Sequence, residues 1–186
     1  MFPLQRFLLL AMVLLLTFFQ ARTQQALYKT ENGFIKFVSD APLEFITAES
    51  SSLQGLVDID KRTFAFQLEV NTLKGFNSPL QQEHFYENYM ETEQYPFARF
   101  SGKIIETVDP ENPGEQTVRA KGLLDIHGVK QERIIKCTLK IAGDTIVVSS
   151  RFIVPLADHN ITIPQLVYQK IAEEIQVDIK AGLTKE

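Results

Sequence analysis

Thr63-Phe-Ala-Phe-Gln-Leu-Glu-Val70 places a large apolar side chain at every second residue. Successive side chains of an extended strand point to opposite faces, so the four apolar side chains from Phe64 to Val70 share one face. The other face carries small or polar side chains. This stretch therefore predicts a β-strand with one buried face and one solvated face.

The same two-residue period recurs along the chain from Ala26 onward. Turn sequences such as Glu31-Asn-Gly33 and His127-Gly128 separate the runs. Short strands at regular spacing favour an antiparallel sandwich or closed barrel. We predict an all-β fold of about eight antiparallel strands with one or two short helices, and both architectures remain open at this point. The predicted strand segments are 26–30, 34–39, 44–49, 53–58, 63–70, 97–106, 117–126, 131–141, 145–154 and 174–183.

One segment, 78–90, breaks this period. Ser78 is a predicted N-cap, and Pro79 fits the first helical position because its missing N–H has no partner to lose there. A helix should therefore lie across the sheet or barrel, and a second short helix should follow Pro164. The first helix is expected to present a stripe of Leu80, His84, Phe85 and Tyr89, and the second a side with Leu166, Val167 and Ile171.

Residues 1–23 form a predicted secretory signal. Arg6 precedes an apolar run at 7–19, which is shorter than the ~20 residues of a bilayer-spanning helix. Small residues at Ala21 and Thr23 suit a cleavage site before Gln24. We expect a single mature domain, 24–186, that is periplasmic or secreted and has no membrane span after cleavage. An uncleaved anchor is the alternative.

Composition excludes several classes of function. The chain has 19 Lys and Arg against 23 Asp and Glu, for a net charge of -4, so a nucleic-acid partner is not expected. A single Cys cannot form an intramolecular disulfide or a multi-cysteine metal site. The three His residues are scattered, and no phosphate or dinucleotide motif is present. The sequence therefore predicts no metal and no cofactor.

The inward face of the strands is rich in apolar side chains. A barrel of about eight strands is either just filled by its side chains or holds one small ligand. Small residues on the same side, such as Ala98, Gly102, Ala120 and Gly122, fit a packed core or would leave a lumen facing the aromatic rings. A ligand in such a lumen would be apolar. The predicted lining comprises Phe64, Phe66, Leu68, Phe100, Ile104, Leu124, Leu139, Val148, Phe152 and Val177.

Three stretches taken together resemble the YceI-like family. They are Gln82-Glu-His-Phe-Tyr-Glu-Asn-Tyr-Met-Glu-Thr-Glu-Gln-Tyr-Pro-Phe-Ala-Arg-Phe100, Leu124-Asp-Ile-His-Gly-Val129 and Arg151-Phe-Ile-Val-Pro-Leu-Ala-Asp-His-Asn-Ile161. The resemblance implies a single extended, lipocalin-like antiparallel β-barrel of about eight strands that binds polyisoprenoids or similar long apolar molecules, usually in the periplasm. The matched motif positions are His84, Tyr89, Met90, Tyr95 and Pro96, and we expect His84, Phe85 and Tyr89 at the barrel mouth, with Phe85 and Tyr89 as gates.

The leading hypothesis is a non-enzymatic carrier that holds a polyisoprenoid, quinone or fatty-acyl chain inside the barrel. The oligomeric state is left open. One alternative is an enzyme that uses His84, or His127 paired with Asp125, as a base on an apolar substrate. Another is a filled barrel that acts as a stress or interaction module.

Overall fold

Eight antiparallel strands close into a barrel in the computed structural model, which describes residues 27–186. Each strand pairs with the next along the chain, and β8 returns to pair with β1, so no long sheet edge is left unpaired. The predicted all-β barrel is confirmed, whereas the predicted signal at 1–23 lies outside the described residues. The strands are β1 Leu27–Asp40, β2 Phe45–Asp58, β3 Thr63–Glu69, β4 Phe97–Ile104, β5 Gly114–Ile126, β6 Val129–Ala142, β7 Thr145–Pro155 and β8 Glu174–Lys185.

The first two strands are longer than predicted. Segments 26–30 and 34–39 were expected as separate strands around a turn at 31–33, but β1 runs through this region with register shifts on both sides of Gly33. A β-bulge absorbs the turn-forming residues without ending the strand. Segments 44–49 and 53–58 likewise belong to the single strand β2. The prediction of four short strands here is therefore wrong.

The predicted helix at 78–90 is present in two parts, the α-helix α1 Pro79–His84 and a π-helical turn Phe85–Tyr89. The Ser78 side chain caps it by accepting a hydrogen bond from the backbone N–H of Gln81 at 3.1 Å. The expected apolar stripe is only half correct: Leu80 and His84 are exposed, whereas Phe85 and Tyr89 are half-buried. α1 itself therefore buries no side chain, whereas the π-helical turn packs against the apolar core.

The prediction of a second short helix after Pro164 is not met by an α-helix. Gln165–Val167 forms one 3₁₀ turn after Pro164, and Leu166 is 96% exposed instead of facing the protein. The segment is tied to the β1–β2 hairpin by a backbone hydrogen bond from Leu43 N–H to the Gln169 carbonyl, 2.9 Å long. Other 3₁₀ turns are Val70–Thr72 and Leu156–His159.

The two ends of the barrel differ. At the lower end the strands are joined by turns at 58–63 and 142–145 and by a loop after Ile104. Buried apolar side chains close this end. The long connections 70–96 and 155–174 both lie at the upper end, together with the hairpins 40–45 and 126–129. The lower plug includes Tyr28, Val57, Ile59, Val108, Ile141, Ile146 and Leu183.

Within residues 27–186, no helix combines the length and the apolar content needed to cross a bilayer.

Candidate functional site

The lower half of the barrel encloses an apolar cavity of about 140 Å³, here called the lower chamber. Alternate residues of the strands point into it, as the two-residue period of the sequence requires. That they would contact a ligand stays a prediction. All ten residues expected to line the interior border this chamber: Phe64, Phe66, Leu68, Phe100, Ile104, Leu124, Leu139, Val148, Phe152 and Val177.

Aromatic rings and small residues divide the space of the lower chamber. Phe64 packs against Phe100 with ring centroids 4.8 Å apart. Ala98 and Ala120 border the chamber, as the lumen interpretation expects. The same interpretation is wrong for Gly102 and Gly122. A Cβ at Gly102 would lie 2.1 Å from the Lys121 carbonyl oxygen, and a Cβ at Gly122 would lie 2.2 Å from the Ser101 carbonyl oxygen. The missing side chains at these two positions accommodate a close approach of two strands and add nothing to the cavity.

An upper chamber of about 390 Å³ lies beneath α1 and continues the interior toward the solvent. Six residues border both chambers, so the two chambers adjoin each other at a shared boundary, here called the waist. The interior is therefore hollow, contrary to the filled-barrel alternative. The waist consists of Ile35, Leu68, Ala98, Ile126, Val154 and Val177.

Aromatic packing forms the roof of the upper chamber. The Phe85 ring stacks on Phe37 with centroids 5.3 Å apart and packs against Phe76 at 4.9 Å. The Tyr86 hydroxyl lies 2.6 Å from the Leu73 carbonyl oxygen and ties the π-helical turn to the preceding loop. Neither Phe37 nor Phe76 is among the residues predicted at the mouth or in the lining. Phe37 follows Ile35 by two residues and was accessible to the alternation argument, whereas no periodic signal identifies Phe76.

The three residues expected at the mouth, His84, Phe85 and Tyr89, all border the upper chamber. Burial raises the pKa of Tyr89, in keeping with a hydroxyl held at the edge of an apolar space. Polar groups gather at the same entrance: the Gln81 side-chain amide donates to a Glu44 carboxylate oxygen at 2.8 Å. The interior thus changes from apolar in the lower chamber to mixed polarity at the entrance.

The enzyme alternative depends on His84 and His127, and neither has the expected surroundings. His84 is exposed on α1. His127 occupies a hairpin turn with φ 54°, and its Nε2 lies 2.9 Å from a Glu91 carboxylate oxygen. The predicted partner Asp125 does not make this contact, and His127 borders neither chamber. This histidine braces the hairpin against the segment that follows the π-helical turn.

Cys137 is the only thiol of the chain and borders the lower chamber. Burial raises the pKa of the Cys137 thiol, so little thiolate is present at neutral pH. Within 27–186, no three His, Cys, Asp or Glu side chains are grouped to hold a metal ion.

His159 contacts the 126–129 hairpin that carries His127. Its side chain is fully buried, and its Nδ1 lies 3.1 Å from the Val129 carbonyl oxygen. Burial is the largest influence and lowers the pKa of His159; hydrogen bonding to backbone groups opposes it, as does Asp158, while Arg133 adds to it. The folded protein therefore favours the neutral imidazole.

We expect the folded protein to lose stability as the pH falls below about 6.5, the usual His pKa. Below this pH, His159 is protonated in the unfolded chain but stays neutral in the folded protein. Unfolding therefore becomes more favourable as the pH falls, until the pH reaches the lowered pKa of His159 in the folded state. His159→Gln, which keeps a donor for the Val129 carbonyl, should flatten this part of the stability profile. The measurement is the free energy of unfolding by urea from pH 5 to 8.

The matched control is His84→Gln on the exposed surface of α1, which should leave the pH dependence unchanged. Equal pH profiles for the wild type and His159→Gln would contradict the assignment to His159.

Solved structures share this architecture. A polyisoprenoid-binding domain from Saccharophagus degradans, implicated in plant cell wall breakdown, is 17% identical and superposes with a TM-score of 0.72 over 87% of this chain and 99% of its own. BcnA from Burkholderia cenocepacia is 14% identical with a TM-score of 0.67, covering 81% of this chain and 95% of its own. The YceI protein of Campylobacter jejuni is 11% identical with a TM-score of 0.56, covering 70% and 78%.

No curated protein matches the sequence. The sequence profile of the YceI-like domain matches residues 28–183, which run from the start of β1 almost to the end of β8. The match spans every strand of the barrel and both chambers. The chain therefore belongs to the YceI-like family.

Proposed function

We propose that the protein is an extracytoplasmic binding or carrier protein that holds a long apolar molecule in the barrel interior. The observation that carries the proposal is the hollow interior, in which two chambers of about 140 and 390 Å³ adjoin at the waist. An apolar cavity of ~150 Å³ holds one benzene ring, so the two chambers together have room for roughly 20 carbons. A chain of that length suits a polyisoprenoid, a quinone tail or a fatty-acyl group.

The change in polarity along the interior supports a ligand with one polar end. The lower chamber offers almost no polar partner, whereas Glu44, Gln81, His84 and Lys170 border the entrance side of the upper chamber. A buried polar head group without partners would cost several kcal/mol. We therefore orient the ligand with its tail in the lower chamber and its polar end near α1.

Burial of the tail supplies enough binding energy for a useful affinity. At ~0.8 kcal/mol per buried CH₂ group, 10 to 15 carbons give roughly 8–12 kcal/mol before ordering costs are subtracted. The remainder reaches a micromolar dissociation constant without a charged contact.

Two further observations support parts of the proposal. A solved neighbour carries the description of a polyisoprenoid-binding domain, which favours that ligand class. The apolar run at 7–19, interpreted as a signal ending at residue 23, favours the periplasm or a secreted location. We prefer binding to catalysis because neither His84 nor His127 converges with a second polar group inside a chamber.

The direct test extracts the purified protein with organic solvent and identifies co-purified lipids by mass spectrometry. We expect a stoichiometric isoprenoid, quinone or fatty acid. The emptied protein should bind prenyl alcohols with an affinity that rises with chain length and levels off near ~20 carbons, when the chambers are full. Recovery of no lipid, together with no binding of geranylgeraniol, ubiquinone or palmitate in a calorimetric titration, would refute the proposal.

A further inference from the structure

Large apolar side chains crowd the upper end of the barrel, where the upper chamber opens. Six such side chains in 27–186 are more than half exposed, and five of them belong to three segments, one of which is α1. The sixth, Ile134, lies on the outer wall of β6. The five, here called the entrance rim, are Leu43 at 66%, Phe45 at 57%, Leu80 at 59%, Leu166 at 96% and Tyr168 at 63% exposure.

Hydrogen bonds hold these three segments together as one surface. The β1–β2 hairpin lies in the middle: its Leu43 N–H donates to the Gln169 carbonyl at 2.9 Å. On its other side, the Asn77 side-chain amide donates to the Phe45 carbonyl at 3.0 Å. Leu80 borders the upper chamber directly. The three segments that carry the entrance rim are therefore joined to one another beside the opening.

We propose that the entrance rim docks the barrel onto a lipid surface with neutral head groups. With ~150–200 Å² per fully exposed large side chain, the five offer roughly 600 Å². Stable protein pairs bury ~800 Å² per partner in closely matched surfaces. A bilayer interface accepts protruding side chains without a matched shape, and a tyrosine among leucines suits that interface.

The charges of the rim segments select the type of lipid. The segments 40–45, 79–84 and 165–170 carry Asp40, Glu44 and Glu83 against the single cation Lys170. The whole chain is also acidic, with a net charge of -4. An anionic membrane would therefore repel this end of the barrel, whereas phosphatidylcholine or phosphatidylethanolamine would not.

Docking at the entrance rim would explain how the ligand enters the barrel, and this role rests on the proposed function. A chain that leaves a bilayer through the rim enters the upper chamber without crossing water, which would otherwise cost ~0.8 kcal/mol for each exposed CH₂ group. Docking itself is measured without any ligand, so the two proposals fail independently.

The chain has no Trp, which makes a single introduced Trp a clean reporter. Leu166→Trp should shift its fluorescence to shorter wavelength on addition of phosphatidylcholine and phosphatidylethanolamine vesicles, and brominated lipid should quench it. Ile134→Trp, at a side chain 58% exposed away from the rim, should do neither. No shift at Leu166→Trp, or an equal shift at Ile134→Trp, overturns the proposal.

A second measurement uses vesicle co-flotation. The double variant Leu43→Ser/Leu166→Ser should bind these vesicles at least about fivefold more weakly, because two side chains no longer enter the interface. Ile134→Ser should bind as the wild type does, and added phosphatidylglycerol should not strengthen binding. If vesicles do not bind and sedimentation shows a dimer that the double variant abolishes, the rim is instead a contact between two copies and the proposal is wrong.

The outcomes also separate docking from cargo binding. Geranylgeraniol binding is measured in solution without vesicles and should be unchanged in the double variant. A protein that binds geranylgeraniol but no vesicles refutes docking alone. A protein that docks but binds no apolar ligand refutes the proposed function alone.

Discussion

Ala98→Phe should weaken the binding of geranylgeraniol by more than about tenfold. Ala98 borders both chambers at the waist, and it pairs with Leu68 of the neighbouring strand. A phenyl ring at this position should fill the waist and keep the ligand tail out of the lower chamber. Loss of only two buried CH₂ groups at ~0.8 kcal/mol each already costs more than a factor of ten. Isothermal titration gives the two dissociation constants.

Two comparisons separate blockage from misfolding. Ala65→Phe adds the same ring on the exposed face of β3 and should leave the affinity unchanged. Geraniol, with half the carbons of geranylgeraniol, fits in the upper chamber and should bind Ala98→Phe nearly as well as the wild type. Unchanged binding of geranylgeraniol by Ala98→Phe would show that the tail does not pass the waist.

Gly102→Ala should destabilise the fold by about 1–3 kcal/mol, the range for overpacking against a fixed neighbour. Gly102 pairs with Gly122 across β4 and β5. An added Cβ would meet the Lys121 carbonyl oxygen at 2.1 Å and the Gly122 Cα at 2.5 Å. Both contacts are backbone atoms that cannot rotate away, so the two strands must separate. Urea unfolding measures the loss.

The matched control is Gly182→Ala in β8, where an added Cβ has no atom within 4 Å. This change should leave the stability unchanged or raise it by up to about 1 kcal/mol, because alanine loses less backbone freedom on folding. Equal stability of the two variants would contradict the close approach of β4 and β5.

The alternation of the sequence was sufficient for the barrel wall. The face shared by Phe64, Phe66 and Leu68 turns inward, and all ten predicted lining residues border the lower chamber. The reason is physical: a two-residue period fixes which side chains share a face, and the apolar face must leave water. The inward face of a strand can therefore be predicted without knowing which strand lies next to it.

Local sequence preference does not predict the backbone conformation where contacts with distant segments determine it. The residues around Gly33 have turn chemistry, yet β2 and β8 pair with β1 on both sides and keep it extended. At 165–167 the apolar spacing favoured a helix, but only a single 3₁₀ turn forms and Leu166 lies in solvent. The backbone hydrogen bond from Leu43 to Gln169 ties the chain after this turn to the β1–β2 hairpin. Tertiary contacts outweighed the local preference in both places.

The upper part of the site was only partly accessible to sequence reasoning. His84, Phe85 and Tyr89 were placed at the mouth by resemblance to a family, and they border the upper chamber. The roof partners Phe37 and Phe76 come from segments far apart in the chain. Local periodicity carries no information about which distant rings meet, so only the packed structure reveals them.

The sequence by itself determined an antiparallel all-β fold with an apolar inner face, since strand periodicity and burial are local consequences of residue type. The tertiary structure decided that eight strands close into a barrel and that its interior is hollow. The volume of the interior depends on how all strands pack together. The backbone of the neighbouring strand occupies the space beside Gly102, whereas the space beside Ala98 stays open and borders both chambers. It also decided that three separate loops meet in one exposed apolar rim, because their hydrogen bonds join residues that no sequence pattern connects.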